Sequence, residues 1–263
     1  MMVKGDIMNY SEREKQLDIL HKQTYNIVKS NDLIQKSRFD LTISEQKILL
    51  RLIQMIQPQD ERFKEYEFDI QEFCDICGID RLSGGNYAYI KSVIDRLKKK
   101  HFYMYTNEDK TESSTVDWIS KARINKSSGI VKIRLDDDLM PYLLNLKQNF
   151  TSYSFYNVLA MRSKYSPRLY EIFKSEQYKR CFNYDLAALK KLLNAENYEL
   201  YGNFKQKVLD VAIKEINEGT DIYVEYEPIK VKRKYIAIRF NIKEKTTEEN
   251  FNVLKKKRLE QLD

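Results

Sequence analysis

The sequence predicts an α+β protein in which one unit of helices and strands is used twice in tandem. Three observations carry that expectation. Short alternating strands each end in an aspartate and run into a helix whose apolar residues recur at three and four apart. The same pieces return in the same order at offsets of 116 to 120 residues. With seven Gly and four Pro against 42% apolar residues, the 263-residue chain is built of regular elements and is long enough for two ordinary domains.

In chain order, residues 1–30 read as a charged, partly helical leader, and Asn31 to Arg38 as a strand entering the first unit. Leu49, Leu52 and Ile53 mark the first helical face. Tyr66-Glu67-Phe68-Asp69 is a strand with a helix-capping Asp at its end, followed by Ile70, Phe73, Cys74 and Cys77 at i, i+3, i+4 and i+7. Ile90, Val93, Ile94 and Leu97 give the next helix. Strands over Phe102–Tyr105, Thr115–Arg123 and Gly129–Leu135 follow, with Asn125–Gly129 as a turn.

The second copy repeats each step. Leu169, Ile172 and Phe173 lie 120 residues after Leu49, Leu52 and Ile53. Phe182, Tyr184, Asp185, Leu186, Leu189 and Leu193 lie 116 after their counterparts, and Leu209, Ala212, Ile213 and Ile216 lie 119 after theirs. Ile222, Val224 and Tyr226 alternate before Pro228, and Ile236, Ile238, Phe240 and Ile242 alternate after it. Helix, strand, helix, turn, helix and β-hairpin is the order of a winged helix-turn-helix. The expectation is therefore two tandem winged-helix domains related by internal duplication, over 31–138 and 155–245. Between them, Leu139–Gln148 reads as a short helix and Asn149–Ser154 as a polar loop. Residues 246–263 read as a charged tail, helical or disordered.

Composition narrows the function classes. Lys and Arg number 46 against 39 Asp and Glu, a net charge of +7 that suits a polyanionic partner. No apolar run reaches the roughly 18 residues needed to cross a bilayer, and the N-terminus lacks the apolar core of a secretory signal. A cytoplasmic protein without membrane contact is expected. Three Cys, with no framework spacing, fit a reducing compartment. Cys74 and Cys77 form a C-x-x-C without a second half, on an apolar helix face, and read as core residues. No G-x-x-x-x-G-K-[ST] phosphate loop is present, and the two His, His21 and His101, stand far apart. Neither catalysis nor a metal nor another cofactor is expected.

The candidate nucleic-acid contacts come from winged-helix geometry, in which the last helix offers its N-terminal residues to base edges and the hairpin reaches alongside. In the second unit these are Tyr201, Asn203, Lys205, Gln206 and Lys207, with Lys230, Lys232, Arg233 and Lys234 at the hairpin tip. Asn and Gln can read adenine and Lys can read guanine. In the first unit they are Asn86, Tyr87, Tyr89 and Lys91 on the helix, and Lys121, Arg123 and Lys126 on the hairpin.

Several segments resemble the iteron-binding plasmid replication initiators. Ser166-Pro167-Arg168-Leu169-Tyr170-Glu171 is similar to their S-x-R-L-Y-E helix. Val208 to Thr220 with Glu215-Ile216-Asn217, then Asp221 to Tyr226, resembles their second winged helix, and Asn31-Asp32-Leu33-Ile34 before Leu41 to Lys47 resembles their entry to the first. The resemblance runs from about Asn31 to Ile242. It implies binding of directly repeated double-stranded origin DNA by both winged helices, opening of the origin, and recruitment of the host initiator and replicative helicase. It also implies a monomer–dimer equilibrium in which the dimer represses its own promoter. Arg168 and Glu171 are expected to tie the second unit together. A winged-helix repressor without a replication role stays open on the residues, and a rolling-circle nickase is disfavoured by the missing His cluster.

Overall fold

The computed structural model describes residues 10–77, 85–107 and 111–260. From its N-terminal end, α1 (Tyr10–Thr24) leads into β1 (Asn26–Ser30), so the last five residues expected in the leader are part of the fold. Asn31 to Arg38 is not one strand. It forms α2 (Asn31–Lys36) and the two-residue β2 (Ser37–Arg38). The local chemistry explains the difference: the Ser30 hydroxyl accepts from Leu33 N–H as an N-cap, and Asp32 pairs with Lys36 one turn later.

The first unit continues with α3 (Ile43–Gln54), β3 (Tyr66–Asp69), α4 (Ile70–Cys77) and α5 (Asn86–Lys98). Thr42 and Glu45 close a reciprocal capping box on α3. Four strands follow: β4 (His101–Tyr105), β5 (Ser113–Asp117), β6 (Ile119–Ile124) and β7 (Ile130–Leu135). The strand expected over Thr115–Arg123 is thus broken at Trp118, whose buried ring packs on Phe102 and Phe39. The break lets one run of chain serve two sheets, β2-β4-β5 and β3-β7-β6. The hairpin β4–β5 is an insertion between α5 and the wing β6–β7.

The connection holds α6 (Met140–Leu143), shorter than the Leu139–Gln148 expected, and then β8 (Phe150–Ser154), where a polar loop was expected. β8 pairs antiparallel with β1, from Asn26 opposite Ser154 to Ser30 opposite Phe150. Thr151 and Tyr153 turn inward from it and are buried. After α7 (Tyr156–Leu159), the second unit runs α8 (Ser166–Glu176), β9 (Cys181–Asp185), α9 (Leu186–Leu192) and α10 (Tyr201–Phe204). A π turn over Lys205–Leu209 joins α10 to α11 (Asp210–Gly219), and β10 (Ile222–Val231) and β11 (Lys234–Glu244) form the wing. The tail is helical as α12 (Thr247–Glu260).

The two units share their internal logic. Strand order is β3-β7-β6 in one and β9-β11-β10 in the other, the same arrangement. Asp69 Oδ1 accepts from Glu72 N at 3.0 Å, and Asp185 Oδ1 accepts from Ala188 N at 2.7 Å, the same N-cap in both. The helical faces read from the sequence are the cores: Leu49, Leu52 and Ile53 and their counterparts Leu169, Ile172 and Phe173 are all buried, as are Ile90 to Leu97 and Leu209 to Ile216 at the positions named above. Cys74 and Cys77 are buried in α4, and burial pushes the Cys77 thiol up to about 12. Gly129 is required where it stands, with φ +70°; a Cβ there would meet the Asp69 carboxylate at 3.3 Å.

Arg168 and Glu171, expected to tie the second unit together, pair with each other and otherwise bond to residues ahead of it. Arg168 donates to Ser37 O at 2.6 Å, and Lys29 Nζ donates to Glu171 Oε1 at 2.8 Å. Tyr153 O–H also donates to Glu171. Helix α8 is therefore bound through buried polar groups to β1, β2 and β8.

Candidate nucleic-acid interface

In the second unit, the helix from Tyr201 to Gly219 is seated by Phe204, Val208, Leu209, Ala212 and Ile216, all buried. Asn203, Lys205, Gln206 and Lys207 face outward and are exposed, where sequence reasoning placed them. Tyr201, at the start of the helix, is half-buried and stacks on Tyr235 of β11 with ring centroids 4.0 Å apart and planes at 21°. Lys230 Nζ sits 4.4 Å from the centre of the Tyr235 ring. The wing is thereby joined to the helix at its N-terminal end.

A second strut lies further along the helix, more than two turns on. Tyr226 of β10 donates its O–H to Asp210, and Lys205 Nζ pairs with Asp210 Oδ2 at 2.8 Å. Partial burial works against the Asp210 carboxylate, but the hydrogen bonds from Lys205 and Tyr226 outweigh it and hold its carboxyl below the ordinary value. Lys205 is thus drawn along its own helix, which Gln206 and Asn203 are not. The sequence shows Tyr226 only as an alternating strand residue and does not single out Tyr235 or Asp210; the three-dimensional approach of wing and helix gives them a role at the interface.

The wing tip is basic and uncompensated. Lys230, Lys232, Arg233 and Lys234 are exposed, and among the described residues no carboxylate closes on them. Lower down the same hairpin, Arg239 and Glu227 face each other across the strands at 3.2 Å and cancel. Lys232 takes φ +55°, a left-handed conformation that glycine or asparagine adopts more easily, at a cost of about 1–2 kcal/mol. A cation occupies the turn despite that cost.

The first unit presents the same geometry with its charge largely spent. Lys91 pairs with Asp95 one turn away at 3.4 Å, and the Tyr89 O–H meets the Ser44 hydroxyl. Tyr87 is half-buried against the core, and the side chain of Asn86, like Gly84, lies outside the described residues. Lys121 and Arg123 converge on Glu65 at 3.2 and 3.9 Å, and the Lys121 hydrogen bond foremost holds the Glu65 carboxyl below its ordinary range. Lys126, at the exposed wing turn, shares a groove with Tyr87 and Lys91 of α5. Of the cations on this hairpin named from the sequence, Lys126 is the one that stands clear of such pairing.

Two helices, each seated by an Asp-capped strand–helix step and flanked by a hairpin wing, make this a tandem winged-helix protein. No helix among the described residues is long and apolar enough to cross a membrane. The chain belongs to the initiator replication protein family: residues 26–174 match its model "Initiator Replication protein, WH1" and residues 185–242 match "Initiator Rep protein, WH2". A curated "Replication initiation protein" of Escherichia coli is 24% identical over 201 residues, covering 73% of this chain and 61% of that protein. An "Uncharacterized 27.6 kDa protein" of Escherichia coli is 25% identical over 139 residues, covering 52% of this chain and 58% of that one. The matches thus span about six tenths of these relatives' own lengths. Among solved structures, the Pi initiator protein, crystallised in complex with iteron DNA, shares the fold with a TM-score of 0.69 at 18% identity, over 85% of this chain and 98% of that one.

Proposed function

We propose that this chain initiates plasmid replication by binding directly repeated double-stranded origin DNA through both winged helices, acting by binding alone and with no reaction of its own. The observation that carries the reading is the second unit's surface: Asn203, Gln206 and Lys207 exposed on the helix beside a wing tip with four uncompensated cations. Amide side chains suit base edges and the wing suits phosphates. Membership of the initiator family and the fold shared with an initiator crystallised on iteron DNA support it.

Two unlike reading helices on one chain call for an asymmetric site across two successive major grooves, roughly 20 base pairs long. Chains on tandem repeats then line one face of the duplex, and the bending strain favours opening of adjacent DNA. Recruitment of the host initiator and replicative helicase, and repression of the chain's own promoter by a dimer, complete the proposal on family grounds. Selection from random duplex DNA followed by footprinting tests it: two unlike boxes about one turn apart support it, and a palindrome points instead to a dimeric repressor.

Residue by residue, Gln206→Ala is expected to cost about 1–3 kcal/mol at the selected site and to relax base preference there. Lys205→Ala is expected to cost less, because Asp210 already competes for its ammonium. Competition binding with single-base variants of the site measures both. Equal losses for the two would contradict the assigned role of Asp210.

A further inference from the structure

The second unit's recognition helix changes register part-way along. Phe204 is fully buried, as are Leu209, Ala212 and Ile216. In an uninterrupted α-helix, five residues turn through about 500°, which would set Phe204 roughly 140° around the axis from Leu209 and leave only the buried Val208, four residues on, beside it. The π turn absorbs one residue and brings the two within about 40°, on one face. Two bonds mark the change. Asp210 N–H donates to Lys205 O, five residues back, and Lys205 Nζ reaches Asp210 Oδ2 at 2.8 Å, a pair that a regular α-helix would hold roughly 140° apart. Between the anchored Phe204 and Val208, three consecutive residues, Lys205, Gln206 and Lys207, are exposed.

We propose that this π turn is a specificity-determining device of the second unit: it seats Phe204 with both Val208 and Leu209 while displaying three consecutive side chains toward the partner, where an α turn seating three such anchors at i, i+3 and i+4 displays two. Gln206 lies at its crest, flanked by a cation on either side. The inference rests on the DNA-reading role proposed above for this helix. It assigns that role to a backbone register as well as to side-chain identity, so a residue can be removed here without unseating the core.

The test compares deletion of Lys207 with Lys207→Ala. Both lack the same side chain and only the deletion loses the extra residue. After deletion, Phe204 precedes Leu209 by four residues, about 40° apart in a plain α-helix, so both anchors stay seated. The expected result is a melting temperature equal to or above that of Lys207→Ala. Affinity for the duplex enriched from a random pool by the wild-type chain should be at least about tenfold weaker than that of Lys207→Ala, with equal affinity for a scrambled duplex. Equal affinities of the two variants for the enriched duplex would overturn the proposal. So would a deletion variant that does not fold, since the register requires the loss to be tolerated. A wild-type chain that enriches no sequence would overturn the DNA-reading role itself, and this inference with it.

Discussion

Glu171→Gln is expected to destabilise the protein by about 3–5 kcal/mol, because it leaves buried cations without their counter-charge. Lys29 and Glu171 are 2% and 3% exposed, and Arg168, its Nη1 3.7 Å from the other carboxylate oxygen, is 4% exposed. Equilibrium unfolding in urea measures the loss, and Tyr153→Phe, which removes one hydrogen bond to the same carboxylate, supplies the scale at about 1 kcal/mol. A loss for Glu171→Gln no greater than that for Tyr153→Phe would show that the network contributes as hydrogen bonds and not as charge. The pH dependence has a definite sign. Burial foremost lowers the Lys29 pKa from its ordinary 10.5, with the Glu171 carboxylate opposing. The unfolded chain therefore holds this proton to higher pH than the folded one, and stability rises with pH between the two values. Removing the carboxylate lowers the folded value further and widens that window downward, so the variant's deficit shrinks toward alkaline pH.

Neutralising Lys232, Arg233 and Lys234 together is expected to lower the slope of log affinity against log salt by about 2.7, roughly 0.9 for each phosphate that is no longer neutralised. The weakening should fall alike on selected and scrambled duplexes, since phosphates carry no sequence. Lys121→Ala with Arg123→Ala on the other wing is expected to change the slope less, because Glu65 already compensates one of those two charges. Titrations at several stated KCl concentrations measure both slopes. If the two wings gave equal decrements, pairing within the free protein would be irrelevant to which cations meet DNA. Lys232→Ala alone should account for about one unit of the larger change.

The parts of the fold that could be read from sequence are those that local chemistry dictates. Asp69 and Asp185 cap helices because an aspartate at a strand end has little else to do, and the faces from Ile90 to Leu97 and from Leu209 to Ile216 declare themselves by period. Elements fixed by distant partners were misread. Phe150–Ser154 looks like a polar loop until β1 lies beside it, with Asn26 opposite Ser154 across a long span of chain. Asn31–Lys36 is too short to show a period, and its helix depends on Ser30 and on the burial of Leu33 and Ile34. At the candidate interface, residue types and positions on the second helix were legible, whereas the state of each charge was not. Lys205 and Lys232 look alike in a sequence, yet one is held by Asp210 and the other stands free at a turn. The register change at Lys205–Leu209 leaves only a faint trace, the five-residue gap between Phe204 and Leu209.

The pairing of β1 with β8, and of Lys29 with Glu171 142 residues later, also bears on how the molecule is made. A ribosome adding about 5–20 residues per second needs on the order of ten seconds to travel from the first partner to the second. Throughout that interval the nascent chain holds an orphan strand and a lysine whose counter-ion has not been synthesised. Strand β1 and Lys29 can therefore complete these pairings only after the helices that follow them in the chain have been made. A chain cut ahead of β8 would lack that closing step, so an N-terminal fragment ending before Phe150 should be left unfinished.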